Sequence, residues 1–301
     1  MKLQTFCRLL PLALFALTIA SCHGSDDEDD NKSSANANVN ANPIDKEPAL
    51  QRLEFPHVKG GHSIVLIHTT NDSYGINYSV EWDCDKKAQR WSAYQMTTAT
   101  MAQKTSRYYS KENQYPFDPL LPNNAYLTQD CFWNSGFDHG HICPSADRLY
   151  SAEANYQTFF LTNMQPQSKA FNASENSPWY RLEGQIRSWT KATATEVLYV
   201  VKGGTIEDDQ IRPTLVKGEM RVPKYFFVAL LLKNAEGYKA VGFWMEHRDS
   251  YVSYEPLGNW AVNIRDLEEK TGIDFFCNLP DGEENRVETL PVENVKRAWG
   301  L

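Results

Sequence analysis

A chain of 301 residues, 42% hydrophobic and 12% aromatic, is long and apolar enough to bury a sizeable core. Its formal net charge of −8 argues against a protein built to hold nucleic acid tightly, though not against an enzyme that must let a polyanion go. Residues 1–47 carry four basic and seven acidic side chains, which leaves about −5 on the rest with histidines neutral.

The first 21 residues read as a signal peptide. Lys2 and Arg8 precede an apolar run, Leu9 to Ile19, and small residues lead to Cys22. The run falls short of the roughly 20 apolar residues that a membrane span needs. Its ending, "IASC", resembles a bacterial lipobox, which implies a lipid on Cys22 and an exported, membrane-anchored protein; an ordinary signal peptide is the alternative. The acidic run "SDDEDD" and the low-complexity "NKSSANANVNANP" cannot bury enough apolar surface to fold, so 22–47 reads as a solvated tether. An acidic block behind a lipidated cysteine also resembles the surface-export signal of Bacteroidetes lipoproteins, implying the outer cell surface.

From Leu53 to Met96, "HSIVLIHTT", "NYSVEWDC" and "RWSAYQM" alternate apolar and polar residues, predicting half-buried antiparallel strands. "TSRYYSKENQYPFDPLLPNNAYL" has scattered prolines and no period, the pattern of a long ordered loop, and such loops usually serve function. Strands are expected around Phe132–Cys143 and Thr158–Met164. "SPWYRLEGQIRSWTKAT" predicts a helix, with Ser177 as cap, Pro178 in the first turn, and Trp179, Leu182, Ile186 and Trp189 at helical spacing. Strands return in "TEVLYVVKGG", "KYFFVALLLKN" and "YKAVGFWMEH", followed by a short helix in "VNIRDLEEKTG". With no repeat and no shift in composition, 48–301 reads as one mixed domain.

Four cysteines lie beyond the tether: Cys84, Cys131, Cys143 and Cys277. None forms a CxxC pair, which argues against a zinc knuckle. Four cysteines in an exported chain allow three disulfide pairings, with free buried thiols as the alternative.

Chemistry concentrates in "GFDHGHICPSADR". If Asp138–Ile142 is extended, His139 and His141 share one face, and Gly140 leaves room beside them for a ligand or another backbone. "FDHGHICPSADR", then "FFLTNMQPQSKAFN", then "WYRLE" resembles the DNA/RNA non-specific endonuclease family, which includes endonuclease G and Serratia-type nucleases. Its D-R-G-H signature is matched by Asp138 to His141, its N-x-x-P-Q stretch by Asn163 to Gln167, and its helix by Trp179, Leu182 and Glu183. Arg107 and Asp118-Pro119 match an upstream R…D-P segment. The likeness spans about residues 55 to 290 and implies an α+β fold of mixed antiparallel sheets carrying a ββα-metal nuclease motif.

The resemblance implies His141 as general base, Arg107 as the phosphate grip, Glu183 as the carboxylate that holds a water, and Asn172 as ligand of one Mg²⁺, with Mn²⁺ as substitute. Two departures stand out. Asn172 lies three residues further from Trp179 than the family pattern has it, which makes Asn176 a rival, and Pro178 argues against one unbroken helix. His139 stands where the signature has arginine, so any phosphate charge it supplies would fade above about pH 6.5. The implied activity is metal-dependent hydrolysis of DNA and RNA with little sequence preference. A surface lipoprotein that binds nucleic acid without turnover is the alternative, and a zinc hydrolase built on His139 and His141 lacks an H-E-x-x-H motif.

Overall fold

The computed structural model describes residues 37–301 except Lys46, Asn123 and Ser253; the expectations on the signal peptide, Cys22 and the tether up to residue 36 lie outside them. Seven antiparallel strands form one sheet in the order β1-β2-β3-β6-β7-β8-β9. They are β1 (Ser63–Thr69), β2 (Ile76–Asp83), β3 (Ala88–Met96), β6 (Val197–Gly204), β7 (Tyr225–Asn234), β8 (Gly237–Glu246) and β9 (Ala261–Val262). A separate pair, β4 (Asp138–His141) and β5 (Met164–Gln167), lies outside it.

The sheet is covered on both faces. Phe226, Val228 and Leu230 point into one apolar cluster, while Phe227, Ala229 and Leu231 alternate into the other. A strand buried on both faces needs no polar alternation, which accounts for the unbroken "FFVALLL" of β7. The expectation of half-buried strands is therefore corrected at β2, which is buried from Asn77 to Asp83.

Six helices are described: α1 (Ala152–Gln157), α2 (Lys169–Asn172), α3 (Pro178–Lys191), α4 (Ile264–Thr271), α5 (Asp281–Glu288) and α6 (Val292–Trp299). The helix α3 lays Trp179, Leu182 and Ile186 on the first cluster, and α4 lays Ile264 and Leu267 on the second. As expected, Pro178 opens α3, but Ser177 makes no side-chain cap and bonds Ser174 instead. The helix α4 ends at Gly272, in the left-handed region at φ 64°.

Two expected strands are displaced. Left-handed Asn134 (φ 56°) and Gly136 (φ 85°) turn the chain, so the first shrinks to Asp138–His141. The second moves from Thr158–Met164 to Met164–Gln167. Asn163 explains the shift: its amide accepts from the Cys143 N–H at 2.9 Å and donates to the Cys143 carbonyl at 2.9 Å, replacing strand pairing with a side chain. The segment between β3 and β4 is a long loop, as predicted, pinned where Asn155 Oδ1 accepts from Tyr108 N–H at 2.7 Å and where Asp118 meets His68 at 2.9 Å.

The tether boundary needs correction. Asn38, Asn40 and Asn42 hydrogen-bond to Leu279, to Asp274 and Glu284, and to Leu50 and Pro56, so the chain is already docked at residues 38–42, ahead of 48. Asparagine amides, which sequence composition reads as solubilising, here satisfy backbone carbonyls from Asn38 and Asn42 and two carboxylates from Asn40. The four cysteines beyond residue 47 are free, and Cys131, Cys143 and Cys277 are buried.

Candidate active site

The pair β4–β5 and the two helices after it build a ββα unit. Register sets Gly140 opposite Gln165 and His141 opposite Met164. His139 and His141 share a face as expected, and the Tyr115 ring meets both, at centroid distances of 3.7 and 6.3 Å. The space at Gly140 is taken by a protein side chain. A Cβ there would lie 2.2 Å from Gln167 Cδ, and Gln167 is fully buried. Its Oε1 accepts from Asn172 Nδ2 at 2.7 Å, which fixes the Asn172 amide and leaves Oδ1 without a described protein partner.

A cleft of about 320 Å³ opens over this unit, and Arg107, His141, Asn172 and Glu183 all line it. Four residues from four segments, spaced over 77 positions of the chain, thus converge on one space. Asn176 is exposed and lies outside the lining. The longer spacing from Asn172 to Trp179 is absorbed by a turn over 173–177, which separates α2 from α3 where Pro178 forbids continuation.

His141 is buried, and its Nε2 has no hydrogen-bond partner. Burial and the Arg107 guanidinium push its pKa down to about 3, against an opposing hydrogen bond to the His139 backbone. The imidazole is therefore neutral at pH 7 with an acceptor nitrogen unspent. Arg107 is stacked over Phe159, 4.8 Å from the ring centroid, and forms no ion pair among the described residues. A guanidinium at a cleft with no carboxylate in ion-pair contact is poised for an anion.

Glu183 is no solvent-facing helix residue. It is 8% exposed, and Oε1 accepts from Lys202 Nζ at 2.9 Å. Burial raises its pKa, Lys202 pulls it back, and Asp147 adds to the rise. Lys202 is fully buried over the Trp179 ring, 4.6 Å from its centroid. Beside it, Arg187 pairs with Asp147 at 3.0 Å, and Tyr94 donates to the other Asp147 oxygen at 3.1 Å. These charges neutralise one another and hold Glu183 in place.

His139 sits between Tyr115 and Phe132, whose ring centroids are 3.7 and 4.2 Å away, with Nε2 3.0 Å from Asp130. Burial would raise the Asp130 pKa, but the His139 contact and the Phe132 N–H outweigh it and hold the carboxyl low. That engagement removes His139 from any shared zinc site with His141. Among the described residues no three His, Cys, Asp or Glu side chains converge to hold a metal. The donor set instead fits a hard cation that takes one amide oxygen and fills its other positions with water.

Sequence reasoning missed Gln167, Asp147, Arg187 and Lys202 as site residues. Lys202 had a signal: one lysine inside the apolar strand "VLYVVKGG" needs a buried partner. Asp147 and Arg187, 40 residues apart, had none.

The profile described as DNA/RNA non-specific endonuclease matches residues 65–282. The chain belongs to this family. Among curated proteins, this endonuclease is 27% identical over 210 residues to Nuclease C1 of Cunninghamella echinulata var. echinulata, covering 67% of this chain and 81% of that protein. It is 28% identical to the mitochondrial nuclease EXOG of Xenopus laevis, over 68% of this chain and 58% of that one. A nuclease of Nostoc sp. is 27% identical, over 73% and 79% respectively. In fold, the endonuclease is similar to the crystal structure of the EndoG/EndoGI complex, with a TM-score of 0.58 and 20% identity over 73% of this chain and 89% of that one. That likeness extends to the α+β architecture with its ββα-metal motif.

Proposed function

We propose that this endonuclease hydrolyses phosphodiester bonds of DNA and RNA with little sequence preference, using His141 as general base and one divalent cation, Mg²⁺ or Mn²⁺, held by Asn172. The observation that carries the reading is the unpartnered, neutral Nε2 of His141 beside an unpaired Arg107 in one cleft. Binding alone does not require a buried proton acceptor, and this disfavours a non-catalytic surface protein.

The chain's own groups divide the work. Arg107 holds a phosphate oxygen through its planar fork. His141 takes a proton from water at Nε2 as that water adds to phosphorus and the bond to the leaving oxygen breaks. A phosphate arriving beside Arg107 offsets the guanidinium field that depresses His141, so substrate binding itself strengthens the base. Glu183, steadied by Lys202 through Oε1, orients water with its second oxygen. A divalent cation on Asn172 would supply charge to the crowded phosphorus and to the leaving oxygen.

The export reading is also a proposal: residues 1–21 as signal, a lipid on Cys22, and an outer-surface location. It is supported by the charge and apolar layout of that stretch. Unchanged membrane recovery of Cys22→Ser would count against it.

The test of activity is incubation of the purified protein with plasmid and with RNA, in Mg²⁺ or in EDTA. Wild type should cut both only with the metal, and His141→Ala should lose about 10²–10⁴-fold with its fold intact. Retention of a tenth of the wild-type rate would overturn the assignment.

A further inference from the structure

Two adjacent aromatic pairs flank the cleft, and each buries one ring and exposes the other. In the turn before β4, Phe132 is 4% exposed and stacks on His139, while Trp133 is 64% exposed with its ring centroid 6.0 Å from His139. In the first turn of α3, Trp179 is fully buried and Tyr180 is 47% exposed and lines the cleft. The inner rings satisfy the fold. The outer rings add little to it beyond the edge contact of Trp133 with His139, and they leave flat aromatic faces open to a ligand at or beside the cleft.

The turn under Trp133 is held from both sides. Asp130 accepts from the Phe132 N–H at 3.0 Å through Oδ1 and meets His139 at 3.0 Å through Oδ2, while Asn134 and Gly136 close the turn in left-handed conformations. The backbone that carries the indole is thereby fixed relative to the strand that carries His141.

Charge decides what form of nucleic acid such platforms suit. The cleft lining holds two guanidiniums, Arg107 and Arg187, against two carboxylates, Asp138 and Glu183, and Arg187 is already paired with Asp147. Duplex binding draws its strength from many neutralised phosphates. One free arginine supplies little of that, so substrate must be held by another contact. Unpaired bases stacking on aromatic rings provide one without sequence preference. Bases inside a duplex are already stacked on each other and cannot use it.

We propose that single-stranded nucleic acid, DNA and RNA alike, is the preferred substrate form, with bases beside the scissile phosphate stacked on Trp133 and Tyr180. The proposal rests on the nuclease reading above and adds the substrate form to it.

The experiment compares kcat/KM for wild type, Trp133→Ala, Tyr180→Ala and the double variant on three labelled substrates: a single-stranded oligothymidylate, its duplex, and a single strand of the same length carrying abasic tetrahydrofuran units. Wild type should favour the base-bearing single strand. Each substitution should lower kcat/KM on that strand by roughly tenfold, the double by roughly a hundredfold. Duplex and abasic substrates should change little in any variant, since the fold and His141 are untouched. Equal losses on base-bearing and abasic strands, or equal cutting of single strand and duplex by wild type, would overturn the inference while leaving a nuclease. A wild type inert toward all three would overturn the nuclease reading and this inference together.

Discussion

At His141, burial and the Arg107 guanidinium act in the same direction, and the ring stays neutral far below its ordinary pKa of 6.5. Removing the guanidinium should therefore raise the imidazole pKa toward its usual value. In Arg107→Ala, titration followed by NMR should show that rise, and KM should increase because the phosphate loses its fork. A His141 pKa unchanged by the substitution would mean that burial alone sets it. Asn172 makes a second contrast at this scale: Asn172→Ala should abolish metal-dependent cutting, while Asn176→Ala, exposed and outside the cleft, should cut normally. The reverse result would move the ligand across the 173–177 turn. His141, Arg107, Asn172 and Glu183 were legible in the sequence because they sit in or near short motifs. What sequence hid was the company they keep: the lone lysine in "VLYVVKGG" signals a buried partner without naming Glu183, and nothing in the spacing marks Asp130, nine positions before His139, as its partner.

The corner between β5 and α2 is held by an element far from it in sequence. His247, just beyond β8, accepts the Ser168 N–H at 2.8 Å through Nε2 and donates through Nδ1 to the Pro223 carbonyl, 2.9 Å away. Accepting from a backbone N–H requires an unprotonated Nε2, and burial in turn lowers the His247 pKa to about 4. Ser168 also donates from its hydroxyl to the Arg248 carbonyl at 2.6 Å and receives Phe171 N–H at 3.3 Å, so this contact fixes the start of the helix that ends in Asn172. His247→Phe keeps the ring volume and leaves the Ser168 N–H and Pro223 carbonyl unpaired, at about 1–3 kcal/mol for each buried group. The expected outcome is a lower Tm together with a weaker apparent affinity for the activating metal, read from Mg²⁺ titration of the cutting rate. An unchanged Mg²⁺ midpoint would limit His247 to stability. The strands β6 to β8 and the helix α3 could be predicted because their periods are long and local. The Phe132–Cys143 strand is shortened by the left-handed turn at Asn134 and Gly136, and the Thr158–Met164 strand is displaced because Asn163 substitutes a side chain for ladder bonds; apolar periodicity is blind to both.

Over the whole molecule, the docked segment from residue 38 meets a set of carboxyls at the far end of the chain. Asn40 Nδ2 bonds Asp274 at 3.1 Å and Glu284 at 2.8 Å, while Arg265 serves Glu268 at 3.2 Å and Glu288 at 2.9 Å. One guanidinium cannot balance four carboxyls, and at Asp274 burial outweighs the Asn40 hydrogen bond and the lesser effects of His57 and Arg265. Burial, reinforced by Glu268 and Glu284, pushes Glu288 up to about 9, and burial raises Glu268 and Glu284 to about 7. All three lie above their usual 4.5, so the folded state keeps protons that the unfolded chain gives up. Their contribution to stability is full below about pH 4.5 and is lost as pH rises through 7 to 9. His141 and His247 act oppositely: their depressed values give a contribution that is full above 6.5 and lost as pH falls toward 3 and 4. Between pH 7 and 9.5 both histidines are neutral in either state, and the carboxyls set a falling slope that the thiols of Cys143 and Cys277, raised above their usual 9.0 by burial, steepen toward its upper end. Wild-type Tm should therefore fall across that range. Glu288→Gln, which cannot ionise and can still accept from Arg265, should flatten the fall while costing little at pH 5, where Glu288 is already protonated in the folded chain. A Tm slope in Glu288→Gln equal to that of wild type would mean that Glu288 is charged in the folded state at pH 7, with Arg265 alone sufficient to hold it.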